Sequence, residues 1–299
     1  MTRDTFTLLC PIDGSQHAEW ALELAPQLVH PMSATLALLH VVDAAKFRAA
    51  RKLGTQTDEA IAEALAIAEQ GGSRLLAQTN EAVSSQWKQI RTKVAKGEPA
   101  AMIARTAERL HADLIVIGSR GLTDFRPFLL GSVSQRVVST APCPVLVVKR
   151  PVTALDHIIV CTDGSKPARA ALEFLLSLRL PSTARLTVTT VVPPLPIDTG
   201  HAPAGLGAVP DKVRASLTQQ AHATAAEEAS RIKDEGFDVH LRVSHGEVAP
   251  DLVKLAEQDQ ADLVVVGSRG LTGATRYLMG SVSDSVVKYA PCSVLVHRR

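Results

Sequence analysis

The sequence predicts an α/β protein made of two repeated domains, each a five-stranded parallel sheet with helices on both faces. The 299 residues are enough for two domains of about 150 residues each. The chain also repeats itself: Asp13-Gly-Ser returns at Asp163, and Ala141-Pro-Cys returns at Ala290. In each half, short apolar runs alternate with helical patterns, which favours a parallel sheet with right-handed crossovers.

The repeat sets the predicted domain boundaries. Its period is far longer than that of solenoid repeats, so a complete fold has been duplicated. With the junction near Lys149–Thr153, we predict one domain over residues 1–150 and a second over residues 151–299.

The first half contains the complete alternation of strands and helices. The run Leu114–Ile117 lacks polar alternation and is typical of a strand buried on both faces. Ser15 is placed to cap the first helix, and Pro26 is expected to end or kink it. We predict strands at Phe6–Ile12, Thr35–Val42, Gln86–Val94, Asp113–Ile117 and Pro144–Lys149, and helices at Gln16–Val29, Thr57–Thr79, Pro99–Leu110 and Ser132–Ser139.

The second half repeats this order. Ser165 is placed to cap its first helix, and Pro167 falls in the first turn, where a missing N–H is harmless. We predict strands near His157–Thr162, Arg185–Val192, Asp238–Val243, Asp262–Val266 and Ser293–His297.

Composition excludes several classes of protein. A formal net charge of +2 leaves no field that would recruit nucleic acid. No apolar run approaches the roughly 18 residues that cross a bilayer, and the N-terminus lacks the apolar core of a secretory signal. We therefore expect a cytoplasmic protein without a nucleic-acid or membrane partner. The cysteines form no Cys-x-x-Cys pair and the histidines no His-Glu-x-x-His motif, which predicts packing thiols and no metal site.

One loop pattern occurs twice. Gly-x2-Gly-x9-Gly-Ser spans Gly118–Ser132 and returns over Gly267–Ser281, each time after an apolar strand and before a helix. Glycines at such a turn permit positive φ and close approach of a ligand to the backbone, while a helix N-terminus attracts anions. The pattern predicts a phosphate cradle. The alternative is that the glycines only permit a tight turn.

This spacing resembles the nucleotide-binding signature of the universal stress protein family, and the resemblance covers essentially the whole chain. It implies a tandem member with two Rossmann-like (adenine nucleotide alpha hydrolase-like) domains. It further implies that ATP, alone or with Mg²⁺, contacts a strand-end aspartate, the backbone after the second strand, and the glycine loop. The residues so assigned are Asp13, Val41, Gly118, Gly121, Gly131, Ser132, Val133 and Ser134 in the first domain, and Asp163, Val191, Gly267, Gly270, Gly280, Ser281, Val282 and Ser283 in the second.

Topology gives an independent reason for the two aspartates. Ligands of open parallel sheets lie beyond the carboxyl ends of the strands at the switch point, normally between the first strand and its neighbour on the other side. Asp13 and Asp163 each end a first strand and should lie beside the glycine loops. The alternative is a helix-entry turn in which the aspartate is an additional cap.

The two loops differ at two positions that bear on affinity. Asp124 stands where the second loop has Gly273, and Pro127 where it has Arg276. A carboxylate near phosphate is unfavourable by about 1 kcal/mol or more. We therefore predict tighter binding in the second domain, unless Mg²⁺ shared between Asp124 and the phosphates reverses the order.

The chain lacks the Walker, kinase and nucleophile-elbow motifs of nucleotide and acyl-transfer enzymes. We therefore expect a non-enzymatic ATP-binding protein whose bound state is read in a stress response or in energy sensing. A slow ATPase or an adenylyl-transferring enzyme on the same fold is one alternative. A nucleotide-free dimerisation module is the other.

The fifth strands predict how the two domains associate. Pro144–Lys149 and Ser293–His297 are short, apolar and last in their halves, so as sheet edges they would need covering. The resemblance implies the arrangement of single-domain universal stress proteins, in which the fifth strands of two subunits pair about a two-fold axis. We expect an internal pseudo-dimer of this kind, with any homodimer formed elsewhere. The alternative is that each edge is covered by its own helix or loop.

Overall fold

The computed structural model describes residues 5–44, 57–122, 130–194, 211–269 and 279–298. The chain folds as two compact units, Met1–Thr153 with Arg298–Arg299 (unit 1) and Ala154–His297 (unit 2). No helix in these ranges is long and apolar enough to cross a membrane.

Unit 1 is an open parallel sheet with strand order β3-β2-β1-β4-β5. Right-handed crossovers place α1 and α2 on one face and α3 and α4, which pack on each other, on the opposite face. Its elements are β1 (Phe6–Pro11), α1 (Gln16–Leu28), β2 (Ala34–Asp43), α2 (Asp58–Val83), β3 (Gln89–Gly97), α3 (Pro99–Leu110), β4 (Leu114–Gly118), α4 (Ser132–Thr140) and β5 (Val145–Val148).

Unit 2 repeats this parallel topology with strand order β10-β9-β6-β7-β8. The predicted α/β class, with helix-covered five-stranded parallel sheets, is confirmed in both units. The elements are β6 (His157–Cys161), α5 (Lys166–Ser177), β7 (Arg185–Val192), α6 (Asp211–Asp234), β8 (Asp238–His245), α7 (Val248–Gln258), β9 (Leu263–Gly267), α8 (Ser281–Tyr289) and β10 (Ser293–His297).

Local signals explain most element starts. The Ser15 hydroxyl accepts the Ala18 N–H at 3.3 Å, and the Ser165 hydroxyl accepts the Ala168 N–H at 3.4 Å, so both predicted caps are confirmed. Pro26 does not end α1, which continues to Leu28, because a proline in the last turn removes only one helical hydrogen bond.

The largest boundary error is at the junction of α2 and β3. The helix continues to Val83 and not to the predicted Thr79, and β3 begins at Gln89 and not at Gln86. The connection folds back on the end of the helix, where the Trp87 N–H donates to the Val83 carbonyl at 3.2 Å. Trp87 is buried there, so this apolar residue packs in the connection and does not belong to the strand.

The cores are aliphatic, as the low aromatic content requires. The side chains of β4 from Leu114 to Val116 are fully buried, as expected of a strand covered on both faces. All four cysteines are free, and burial raises the pKa of the Cys10 and Cys143 thiols to about 12. This agrees with the interpretation of the cysteines as packing residues.

Candidate functional site

A cavity of about 500 Å³ opens in unit 1 at the carboxyl ends of the strands. It lies where β1 pairs with β2 on one side and with β4 on the other, which is the switch point of the sheet. Its volume falls in the range of small-molecule sites. All eight residues predicted for the first domain line it: Asp13, Val41, Gly118, Gly121, Gly131, Ser132, Val133 and Ser134.

Asp13 stands between the first helix and the glycine loop. One carboxylate oxygen, Oδ1, accepts the Ser15 N–H at 3.0 Å, which is the helix-entry contact named above as the alternative. The other oxygen faces the loop, because a Cβ added to Gly121 would lie 2.5 Å from Asp13 Oδ2. Asp13 therefore makes the helix-entry turn and also presents a carboxylate edge to the cavity, and any side chain at position 121 would displace that carboxylate.

The N-terminus of α4 supplies backbone donors to the cavity. Its N-cap is Gly131, which has no side chain to accept a hydrogen bond, and the first helical bond runs from Gln135 N–H to Gly131 O at 3.0 Å. The amides of Ser132, Val133 and Ser134 precede that bond and have no helical acceptor. Three N–H groups and the positive end of the helix dipole thus lie at the wall of the cavity, where an anion is favoured.

The loop glycines serve close approach and not unusual backbone angles. Gly131 has φ −67° and Gly280 has φ −68°, so the positive φ that glycine permits is not used at these positions. At Gly118 a Cβ would lie 2.6 Å from the His17 carbonyl carbon, so this glycine lets β4 pack against α1. Positive φ occurs instead in the Asp-Gly-Ser turns, at Gly14 (82°) and Gly164 (76°).

The Ser134 hydroxyl holds the loop together. It lies 2.7 Å from the Ser119 carbonyl and 2.9 Å from the Gly131 carbonyl, and the Gly131 N–H donates to Ser119 O at 2.8 Å. Ser134 is buried. The side chain that the resemblance assigned to ribose and phosphates thus fixes the start of α4 on the end of β4.

The opposite end of the cavity is mainly apolar. It is lined by Ile12 directly after β1, by Leu39 within β2 and by Ile103 of α3, with Val41 and His40 beside them. The Ile12 N–H donates to Leu39 O at 2.8 Å, and His40 Nδ1 donates to Ile12 O at 2.8 Å. This end offers a flat ring an apolar surface next to strand-end backbone.

Charged side chains complete the unit 1 site. Arg136 lines the cavity one turn into α4, and its guanidinium lies 2.9 Å from Glu98 Oε1. Burial and the nearby Arg120 guanidinium lower the pKa of His17, against an opposing effect of Asp13, so the imidazole behind the loop is neutral at pH 7. The sequence reasoning missed Arg136 and His40; the position of Arg136 one turn after the Gly-Ser pair was the available signal.

Unit 2 has a cavity of about 340 Å³ at the equivalent position. Asp163 Oδ1 accepts the Ser165 N–H at 3.0 Å, and the first bond of α8 runs from Asp284 N–H to Gly280 O at 3.0 Å. Gly270 lies outside the described residues. The other seven predicted residues line the cavity: Asp163, Val191, Gly267, Gly280, Ser281, Val282 and Ser283.

The predicted difference in affinity between the two loops depends on Asp124, Pro127, Gly273 and Arg276, and all four lie outside the described residues. The described residues differ in another way. Ser285 stands where unit 1 has Arg136, and Asp284 in the first turn of α8 pairs with Lys288 at 2.6 Å. Arg136 therefore favours anion binding in unit 1, and Asp284 disfavours it in unit 2. The loop residues, in contrast, predict tighter binding in unit 2.

Across the five described ranges, no group of three or more His, Cys, Asp or Glu side chains is placed to hold a metal ion. Any Mg²⁺ would thus rely mainly on ligand oxygens together with carboxylates that line the cavities, which are Asp13, Asp43 and Glu98 in unit 1 and Asp163 in unit 2.

Comparison with known proteins follows the two units. A model of the Universal stress protein family matches residues 5–149 and again residues 154–298. Universal stress protein MJ0531 of Methanocaldococcus jannaschii is 35% identical over 144 residues, which are 48% of this chain and 82% of that protein. Universal stress protein YxiE of Bacillus subtilis is 33% identical over 144 residues, 48% of this chain and 97% of that protein.

A solved structure matches the whole chain. The crystal structure of a universal stress protein from Archaeoglobus fulgidus superposes with a TM-score of 0.66 at 22% identity, covering 98% of this chain and 96% of that one. At this identity the likeness concerns the fold.

Proposed function

This chain belongs to the universal stress protein family, and from that premise we propose that each unit binds an adenine nucleotide, ATP, in the cavity at the switch point of its sheet. The proposal rests above all on one arrangement that occurs twice. A helix whose N-cap is glycine presents amides without a helical acceptor to a cavity that also contains a strand-end carboxylate.

Each part of the cavity fits a part of the nucleotide. The amides of Ser132–Ser134 and of Ser281–Ser283 bind phosphate oxygens, assisted in unit 1 by Arg136. The carboxylates of Asp13 and Asp163 accept hydrogen bonds from ribose hydroxyls, and they would be ligands of any Mg²⁺ that binds with the nucleotide. The end beside Val41 or Val191 receives the base, whose edge meets strand-end backbone.

We propose that the protein binds ATP without turning it over and that the bound state is read in a stress response or in energy sensing. Enzymatic phosphoryl transfer needs a positioned base or water and a cation at the leaving group. Asp13 and Asp163 line the two cavities, but one oxygen of each carboxylate already accepts a backbone N–H, from Ser15 in unit 1 and from Ser165 in unit 2. A purified chain that hydrolyses ATP at the roughly 10 s⁻¹ typical of enzymes would overturn this part of the proposal.

Calorimetry on the full chain tests the binding itself. The wild type should bind ATP at two sites, and mass spectrometry of the purified protein should detect adenine nucleotide. Val41→Trp fills the cavity of unit 1 and Val191→Trp that of unit 2, so each variant should retain one site. Circular dichroism checks that both variants fold. No binding to the wild type would overturn the proposal.

The same variants measure the order of affinities. We keep the prediction that unit 2 binds more tightly, because of Gly273 and Arg276, and the Val41→Trp chain should then show the lower Kd. Equal or reversed values would contradict it and would show that Arg136 outweighs the loop positions. Adding EDTA to either chain shows whether Mg²⁺ contributes.

We further propose that the fifth strands of the two units pair within the chain as a pseudo-dimer, and that any homodimer forms through another surface. Every residue of β5 and β10 is buried, and β10 has an apolar Val-Leu-Val centre between Ser293 and His297, as expected of covered strands. Location in the cytoplasm likewise stays a prediction from the sequence.

A further inference from the structure

The two cavities differ in the polarity of their base-binding ends. The repeat equates Leu39 with Thr189, and the structure agrees: Ile12 N–H donates to Leu39 O at 2.8 Å, and Thr162 N–H donates to Thr189 O at 3.0 Å. In unit 1 this end is lined by Pro11, Ile12 and Leu39; in unit 2 it is lined by Cys161, Thr162 and Thr189. Three apolar side chains are thus replaced by three that carry hydrogen-bonding atoms.

Thr189 is the member of this set whose bonding capacity is unused. Its side chain is 1% exposed and lines the cavity, yet its hydroxyl has no hydrogen-bond partner in the described part of the chain. The Thr162 hydroxyl, by contrast, accepts the Gly164 N–H at 3.1 Å. A buried hydroxyl without a partner destabilises the protein, so one that lines a ligand cavity indicates a partner supplied by the ligand. Rotation of χ1 among its staggered positions turns the Thr189 hydroxyl toward that ligand.

We propose that Thr189 is a specificity-determining residue of unit 2, which selects a nucleobase by hydrogen bonding to its polar edge, whereas the equivalent residue of unit 1, Leu39, offers the base only an apolar contact. This inference rests on the proposed nucleotide binding and adds to it that the two sites prefer bases of different hydrogen-bonding capacity. An apolar pocket discriminates weakly between rings of similar shape, but a buried hydroxyl left unpaired by the wrong ring rejects it.

The adjacent residue provides a matched control. Thr190 is also buried, at 8% exposed, and its hydroxyl also lacks a partner among the described residues, but its side chain does not line the cavity. Thr189→Val and Thr190→Val each remove one unpaired hydroxyl from neighbouring positions of β7 with little change of shape. A purely structural role predicts the same result for both.

The test measures ATP affinity in the full chain with unit 1 filled by Val41→Trp, or by Val41→Phe if the tryptophan variant does not fold. We expect Thr189→Val to weaken ATP binding by about three- to tenfold, the effect of one lost hydrogen bond, and Thr190→Val to change it less than twofold. Without ligand, both substitutions should leave the thermal midpoint equal or higher, which shows that the variants fold.

A change of ligand closes the test. Purine riboside triphosphate, which lacks the exocyclic amino group of ATP, should bind the unit 2 site more weakly than ATP does, and Thr189→Val should reduce that difference while Thr190→Val preserves it. Equal ATP affinities for the two valine variants would overturn this inference and leave nucleotide binding intact. Failure of the Val41→Trp and Val41→Phe chains to bind ATP while they remain folded would overturn both.

Discussion

Glu228 shows how one residue can oppose the stability of the fold that contains it. Its side chain, on α6, is 1% exposed, with Arg169 Nε 3.2 Å and Arg231 Nε 3.7 Å from its carboxylate oxygens. Burial nevertheless raises the pKa of Glu228 above its ordinary value of 4.5, and the two arginines only partly compensate. The ionised carboxylate is therefore less stable in the folded protein than in the unfolded chain.

The sign of the pH effect follows from that shift. Because the folded pKa is raised, Glu228 costs no stability at pH values below 4.5 and costs progressively more as the pH rises through the folded pKa. We expect Glu228→Gln to increase the free energy of unfolding at pH 7 and to have little effect at pH 4, measured by urea denaturation. The arginines are 39% and 42% exposed, so both can be hydrated when the carboxylate is removed.

Glu227→Gln is the matched control for this change. Glu227 shares Arg169 and Arg231 with Glu228, but its side chain is 49% exposed. Exposed ion pairs contribute about 0–1 kcal/mol, so this control should change stability little at either pH. A loss of stability in Glu228→Gln at pH 7 would show that the ion pairs outweigh the burial of the charge.

At the scale of elements, α2 shows how a helix can require glycine for packing alone. Gly71 and Gly72 are adjacent inside this 26-residue helix. A Cβ at Gly71 would meet nothing within 4 Å, whereas a Cβ at Gly72 would overlap the ring of His40, which lines the unit 1 cavity. The second glycine therefore lets the helix lie directly against the site.

The two glycines of α2 should respond to alanine in opposite directions. Gly71→Ala should stabilise the protein by about 1 kcal/mol, because alanine has the higher helix propensity and the position is open. Gly72→Ala should destabilise it by about 1–3 kcal/mol, through overpacking against His40. Urea denaturation of the two variants measures both effects. Equal gains in stability would show that the His40 ring moves aside at no cost.

The helix N-termini of the two sites give an element-scale test of phosphate binding. Proline at the first helical position removes one amide and leaves the helix intact, and Gly131, with φ −67° and ψ 148°, already has backbone angles that suit the residue before a proline. In the Val191→Trp chain, Ser132→Pro should weaken ATP binding by about 10- to 100-fold, the effect of one charge-assisted hydrogen bond.

Ser132→Ala, which keeps the amide and removes only the hydroxyl, is the control for that experiment. Its ATP affinity should remain close to that of the parent chain. Ser281→Pro and Ser281→Ala repeat the comparison for unit 2 in the Val41→Trp chain. If proline and alanine give equal affinities, phosphate is not bound by these amides and the glycines serve the turn.

At the scale of the whole molecule, the chain carries two versions of one site that have diverged in separate parts. Unit 1 combines a larger cavity with Arg136 and an apolar base end, while unit 2 combines a smaller cavity with Thr189. Under the proposed function, duplication would give one chain two nucleotide sites with different affinities and base preferences.

Cleavage of the connection tests whether the units associate. A protease site inserted after Thr153, which is exposed between the buried Val152 and Leu155, should be cut without unfolding either unit. If the fifth strands pair as proposed, the two fragments should elute together from a sizing column near the 31.8 kDa of the uncut chain. Elution as two separate half-size species would contradict the pairing. Cutting without the inserted site controls for adventitious proteolysis.

The sequence by itself was sufficient for the class of fold, the order of strands and helices, the repeat and the two serine caps, and topology placed Asp13 and Asp163 at the switch points. These features depend on patterns of a few residues or on topology, which the alternation of elements determines. The end of α2 was misplaced because the connection after it is held by a segment far away in the chain, where the Lys88 N–H donates to the Pro31 carbonyl at 3.4 Å.

Tertiary structure decided which atoms each residue meets. Gly118 admits the backbone of α1, Gly72 admits His40, and the Ser134 hydroxyl holds its own loop, and the sequence predicted none of these three contacts. Alternation along β7 predicts that Thr189 and Thr190 face opposite ways, but only packing decides which one lines a cavity. The reason is that periodicity constrains a side chain relative to its own strand, whereas contact depends on the elements that pack on either side.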